Sequence, residues 1–271
     1  MKIMRILTAL AVIVATASVT VFAQAKAVPI AHMKLSGLMG GSENGRWLTP
    51  SLMAEKMAEK TEFVLAGLNG VEEGGVTLGE KEPMSQDVCQ DFFSFKFDLE
   101  SDEGIAVGSA AKWNIVPRVP QEIASSSAAY RTIVASYLRS KGIVKPVVKI
   151  TRAYRVDLEG DGRDEVLIVA TRYKGGLTAS AAVGDYSVIL LRKMVGKTVV
   201  NYELAGEYVK KKIDFGAPME FDISAVADLN GDGKMEIVTY GAYYEGESAG
   251  VYEIIRDKPV EVKELSVGCG V

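Results

Sequence analysis

Two stretches of the chain, DLEGDGRDE from Asp157 and DLNGDGKME from Asp228, set oxygen-bearing side chains at alternate positions around glycines. Asp157, Glu159, Asp161 and Glu165 occupy positions 1, 3, 5 and 9 of the first; Asp228, Asn230, Asp232 and Glu236 occupy them in the second. Alternate residues of a tight loop point inward together when glycine lets the backbone curl, and both loops carry glycine at positions 4 and 6. An all-oxygen set of this kind suits calcium, which accepts roughly six to eight oxygens in a forgiving geometry, better than magnesium with its strict octahedron. The carbonyl at position 7, Arg163 or Lys234, would add a ligand and leave its side chain in solvent. Zinc and copper would want His or Cys, which neither loop has. Without a cation the crowded carboxylates repel one another, so each loop has a reason to bind metal. The expectation is two calcium ions; a metal-free Asx-rich turn is the alternative. An EF-hand is excluded, because position 12 is Ile168 or Thr239 rather than a carboxylate and strand-like runs flank both loops.

Other chemistries find little support. His32 is the only histidine and falls in a glycine-rich stretch read as a mobile arm, which removes Ser-His-Asp, Cys-His and histidine-zinc sites. MVGKT at 194–198 imitates the tail of a phosphate loop but has Leu191 where the earlier glycine belongs, so no nucleotide is expected. A net charge of −4 gives no footprint for nucleic acid. Asp98, Glu100, Asp102 and Glu103 are carboxylates of the type a glycosidase uses, though acidic clusters at strand ends are more often solvated. Tyr243 and Tyr244, with Tyr240 nearby and Tyr173 in the corresponding place of the first unit, could stack on a sugar or grip a peptide.

The elements that must hold these residues follow from periodicity. Residues 1–25 set Lys2 and Arg5 before an apolar run ending Ala23-Gln24-Ala25, which reads as a signal peptide; an uncleaved membrane anchor is the alternative. Cleavage would remove those two positive charges and take the net charge from −4 to −6. Export, periplasmic or to the medium, would let the only two cysteines, Cys89 and Cys269, form a disulfide; two separate thiols are the other possibility. Residues 26–48 read as a flexible arm and 49–145 as a mixed α/β region. That region holds a helix from Thr49-Pro50, a strand over 63–68, an alternating strand over 93–99 and an amphipathic helix over 123–141. From 146 to 271 strands dominate, in an order that repeats: strand, acidic loop, strand, small-residue loop, further strands. The small-residue loops are YKGGLTASAAVGD and YEGESAG.

DLNGDGKMEIV between two β-runs resembles the FG-GAP or VCBS-type repeat, whose blades build the β-propeller of integrin α chains and of many exported bacterial proteins. The resemblance covers residues 147–271 and is specific mainly at the loops. It implies calcium ligands at Asp157, Glu159, Asp161, the Arg163 carbonyl and Glu165, then at Asp228, Asn230, Asp232, the Lys234 carbonyl and Glu236. Two departures stand out: Glu159 replaces the usual shorter Asp or Asn, and Glu fills position 9 in both loops where Asp is frequent. Two repeats are too few for a closed propeller, which takes about four or more blades. The expected fold is therefore mainly β with a minor α part (α+β), two antiparallel repeat units forming an open structure packed with the N-terminal segment. The expected function is an exported, non-enzymatic protein in which structural calcium orders loops that bind an extracytoplasmic protein or carbohydrate. A carbohydrate-active hydrolase and a purely structural envelope scaffold are the alternatives.

Overall fold

Along Tyr186–Val195 the alternate residues Ile189 and Leu191 enter one apolar cluster, while Tyr186, Val188 and Leu190 enter another. A strand buried on both faces belongs to a sheet covered on both sides, and the molecule is built as a stack of such layers. The computed structural model describes residues 26–58, 61–72, 76–83, 89, 92–97 and 103–270. The signal segment 1–25 and the candidate acids Asp98, Glu100 and Asp102 lie outside the described residues.

An N-terminal sheet is formed by β1 (Val28–His32), β2 (Gly37–Glu43), β3 (Arg46–Leu48), β4 (Glu62–Gly67), β5 (Gly70–Val71), β6 (Val76–Pro83), β7 (Phe93–Phe97) and β8 (Ile105–Gly108). Helix α1 (Pro50–Lys56) lies between β3 and β4; the Thr49 side chain caps it by accepting the Leu52 N–H, and Pro50 opens it. The first repeat sheet holds β9 (Gln121–Glu122), β10 (Ile150–Val156), β11 (Glu165–Arg172), β12 (Tyr186–Val195) and β13 (Thr198–Tyr208), in the order β13-β12-β11-β10-β9. Helix α2 (Ala128–Ser140) is inserted between β9 and β10. It starts later than periodicity suggested, because Gln121 and Glu122 pair with β10 and the Ile123 N–H is taken by the Ala153 carbonyl. The second repeat sheet holds β14 (Glu220–Ala227), β15 (Glu236–Tyr243), β16 (Gly246–Ile255), β17 (Lys258–Glu261) and, after a short 3-10 turn, β18 (Val267–Gly270). All pairings are antiparallel and no sheet closes into a barrel, so the mainly β, open architecture with a minor α part is the one observed.

Side-chain alternation fixes the order of the layers. Ala31 and Ala106 pack with Met53 of α1, whereas Val28, Ile30, Ile105 and Val107 meet Ala225, Val238 and Val251 of the second repeat sheet. The other face of that sheet, with Ile223, Val226 and Ile237, packs on Tyr154, Leu167 and Ile189 of the first repeat sheet. Beyond it, Val134 and Leu138 of α2 cover Ile168, Val188 and Leu190. The sequence from outside in is α1, N-terminal sheet, second repeat, first repeat, α2. Cys89 and Cys269 are joined in a disulfide that ties β18 to the N-terminal part of the chain.

The segment 26–48, read as a flexible arm, is instead β1–β3 and among the most buried parts of the chain. Its glycines serve close packing. A Cβ on Gly41 would lie 2.5 Å from both Met53 Sδ and the Val28 carbonyl, and Gly40, at φ +128, sits where the β1–β2 register shifts. YEGESAG is likewise strand for most of its length, because β16 begins at Gly246 directly after a tight turn.

Candidate metal centre

Each acidic loop joins the first two strands of its repeat sheet: 157–164 between β10 and β11, 228–235 between β14 and β15. The opening aspartate shapes each turn. Asp157 accepts N–H bonds from Gly160 (2.7 Å), Asp161 (3.2 Å) and Gly162 (2.9 Å), and Asp228 accepts them from Gly231 (2.7 Å) and Gly233 (2.9 Å). Asp161 and Asp232 take the N–H groups of Arg163 and Lys234 at 2.9 and 2.8 Å. Position 9 reaches back across the turn, Glu165 to the Leu158 N–H at 3.0 Å and Glu236 to the Leu229 N–H at 2.8 Å. The nonapeptides therefore fold alike.

The loops lie side by side. The Met235 N–H donates to the Leu158 carbonyl at 2.8 Å, and Arg118 donates to the carbonyls of Asp157 (2.5 Å), Leu158 (3.1 Å) and Gly233 (2.8 Å). Trp113 Nε1 donates to the Asp228 carbonyl at 2.8 Å, and the Asp228 N–H is taken by the Ile115 carbonyl at 2.7 Å. Residues 113–118 form a strap across both turns that sequence reasoning missed; its one signal is an indole and a guanidinium in an otherwise irregular stretch.

The charges differ sharply between the two. Lys193 of β12, 3% exposed, donates its ammonium to Glu159 Oε2 and, at 2.9 Å, to Glu165 Oε1. Burial alone would lower its pKa, but the two carboxylates outweigh that and hold it above the usual lysine value. The longer arm of Glu159 makes this reach possible, whereas the shorter Asn230 stays in its own turn and accepts the Asp232 N–H at 2.9 Å. The second loop has no such ammonium: among the described residues no Lys or Arg forms an ion pair with Asp228, Asp232, Glu236 or Glu253. Lys234 leans the other way, 3.8 Å from Glu159 Oε1. Burial raises the pKa of Glu236 well above the carboxylate range against the pull of the Leu229 N–H, and Asp232, Asp228 and Glu253 add repulsion. Asp228 is raised too, by burial, whereas in Asp157 the loop N–H groups and Arg118 outweigh burial and lower it.

Among the described residues no three His, Cys, Asp or Glu side chains converge as metal ligands do. The donor chemistry nevertheless separates the loops. In the first, Glu159 and Glu165 are committed to Lys193. In the second, Glu236 is 2% exposed with one oxygen on the Leu229 N–H and no donor among the described residues at the other. That oxygen and its acidic neighbours fit a hard divalent cation; the first loop as it stands does not.

His32 requires a correction. It is 1% exposed in β1, its Nε2 lies 2.7 Å from Ser224 Oγ, and its ring stacks on Tyr240 at 5.5 Å. Serine–histidine catalysis remains excluded, for a different reason. Nδ1 accepts the Leu35 N–H at 3.3 Å, so the neutral ring carries its proton on Nε2 and donates to Ser224 instead of taking its proton. Burial, then Lys34, lowers the His32 pKa to about 3.

Beside Ser224 a polar cleft of about 500 Å³ opens where the three sheets meet, its walls including Lys34, Glu103, Glu122, Arg152, Asp222 and Tyr240. Glu103 is the one described member of the suggested carboxylate set. The tyrosines lie elsewhere. Tyr244 is 36% exposed, packs edge-on against Tyr243, and meets Phe215, itself 82% exposed. Tyr173 is tethered through its hydroxyl to the Met219 carbonyl at 2.6 Å. Tyr243 and the acidic loop sit at opposite ends of β15, whose eight residues span on the order of 25 Å, so a cation there would not touch a ligand at the tyrosines. No protein-family model, curated protein or solved structure matches the chain.

Proposed function

We propose that the chain is an exported, non-enzymatic β-repeat protein, stabilised by calcium at its acidic loop region, that holds an extracytoplasmic protein or carbohydrate. The observation that carries the calcium reading is the second loop, where Asp228 and Glu236 are each 2% exposed and have no counter-ion among the described residues. Two buried carboxylates in contact with a third acid at Asp232 are costly unless protonated or neutralised by a cation. The Cys89–Cys269 disulfide supports export, because such bonds persist in oxidising compartments. The Phe215–Tyr244 pair supports partner binding at the far end of the sheet, since exposed aromatic faces suit sugars and peptides. Calcium is structural on this reading.

Thermal melting tests it. Free calcium at a hundred times its Kd contributes about 2.7 kcal/mol, a Tm rise of roughly 5–10 °C for a protein of this size. Chelator should remove that rise, and Asp232→Ala should abolish the difference between calcium and chelator. Identical melting of the unaltered protein in both conditions would refute a structural calcium role.

A hydrolase is the second reading, favoured by the cleft that brings Glu103, Glu122 and Asp222 together. Turnover of chromogenic glycosides that is lost in Glu103→Gln would establish it in place of the first.

A further inference from the structure

Glu165 and Glu236 close their loops in the same way, and the ladders beside them can be compared position by position. Val166 pairs with Arg192 and Ile237 pairs with Tyr252, and these two strand residues are separated by the same 71 positions (237 minus 166) as the loops. One step along each antiparallel ladder sets Lys193 against Glu165 and Glu253 against Glu236. The site that holds the cationic side chain in the first repeat thus holds an anionic one in the second. Like charges at facing ladder positions repel, and here the facing carboxylate is almost wholly buried. The oxygen that Lys193 occupies on Glu165, Oε1, is the one that on Glu236 meets no donor among the described residues. Glu253 is held from behind by the Trp47 side chain.

We propose that the chain binds a single divalent cation, calcium by its oxygen donors, at the second loop, with Glu253 joining Asp228, Asp232 and Glu236, while Lys193 serves the first loop as a permanent built-in counter-ion. The inference rests on the calcium reading above and sharpens it from two ions to one. It also explains the unusual Glu159, the position-3 side chain long enough to reach a lysine on the next strand. Swapping lysine for glutamate at one ladder position converts a self-neutralised turn into a metal-dependent one.

Equilibrium dialysis of the disulfide-intact protein against calcium, with bound metal counted by mass spectrometry, is the test. One equivalent per chain is expected. Two equivalents would overturn the role given to Lys193 yet leave the calcium reading standing; none would overturn that reading itself. Glu253→Lys, which copies the first loop's arrangement into the second, should weaken calcium binding about a hundredfold or more, because ligand charge tunes such sites. One equivalent at unchanged affinity in that variant would remove Glu253 from the site. Two exposed-loop variants keep the test open should Glu253→Lys fail to fold. Asp161→Ala should retain its equivalent and Asp232→Ala should lose it, and the reverse pattern would place the ion in the wrong loop.

Discussion

His32 is the only histidine in the chain, so its titration can be read without competition from another imidazole. Its ring is 1% exposed, bonded through Nε2 to Ser224 Oγ, stacked on Tyr240 and faced by the Lys34 ammonium, which lies 4.4 Å above the same tyrosine ring. The folded pKa of about 3 lies below the value of 6.5 for a free imidazole. A depressed histidine stabilises the fold fully above the unfolded pKa and loses that contribution as the pH falls, because the unfolded chain takes up the proton first. Each unit below 6.5 then costs about 1.4 kcal/mol, or about 2 kcal/mol at pH 5. The perturbation is His32→Gln, whose amide keeps a donor near Ser224 but does not titrate. Urea unfolding of both proteins at pH 7.5, 6 and 5, in saturating calcium with the disulfide intact, yields the difference in stability at each pH. Carboxylates titrate equally in both and cancel. The unaltered protein should be the more stable at pH 7.5, and its advantage should shrink by about 2 kcal/mol by pH 5. A gap that stays constant across that range would refute the buried neutral ring and with it the tautomer argument against catalysis.

Arg118→Ala should destabilise the protein by about 2 kcal/mol, since three loop carbonyls lose charge-assisted donors, and differential scanning calorimetry should show the loss. Cys269→Ser opens a loop with a sequence separation of 180, and the chain-entropy model gives a loss approaching about 5 kcal/mol, measurable by urea unfolding against the oxidised protein.

Local patterns carried the repeat part of the fold. Alternating apolar residues over β10–β12 and β14–β16, broken by acidic glycine-rich loops, specify two antiparallel units because side-chain direction in a strand has a period of two. The N-terminal arm was misread for an equally physical reason. Glycine signals either a mobile backbone or a close approach, and only the neighbours decide; Gly41 is a glycine because Met53 and Val28 lie against it. The site was legible as donor atoms but not as charge balance. Lys193 stands 34 residues from Glu159 and 28 from Glu165, and only the ladder register reveals that its counterpart is Glu253. The strap through Trp113 and Arg118 reaches 115 residues to Asp228 and Gly233, beyond any local pattern.

A crystal structure grown in calcium, with a lanthanide substituted for anomalous scattering, addresses the pair of loops most directly. The expected map holds one ion, roughly 2.3–2.6 Å from oxygens of Asp228, Asp232, Glu236 and Glu253, with the Lys193 ammonium still seated between Glu159 and Glu165. An ion in the first loop with Lys193 displaced, or no ion in the second while its acids turn out to water, would contradict the account.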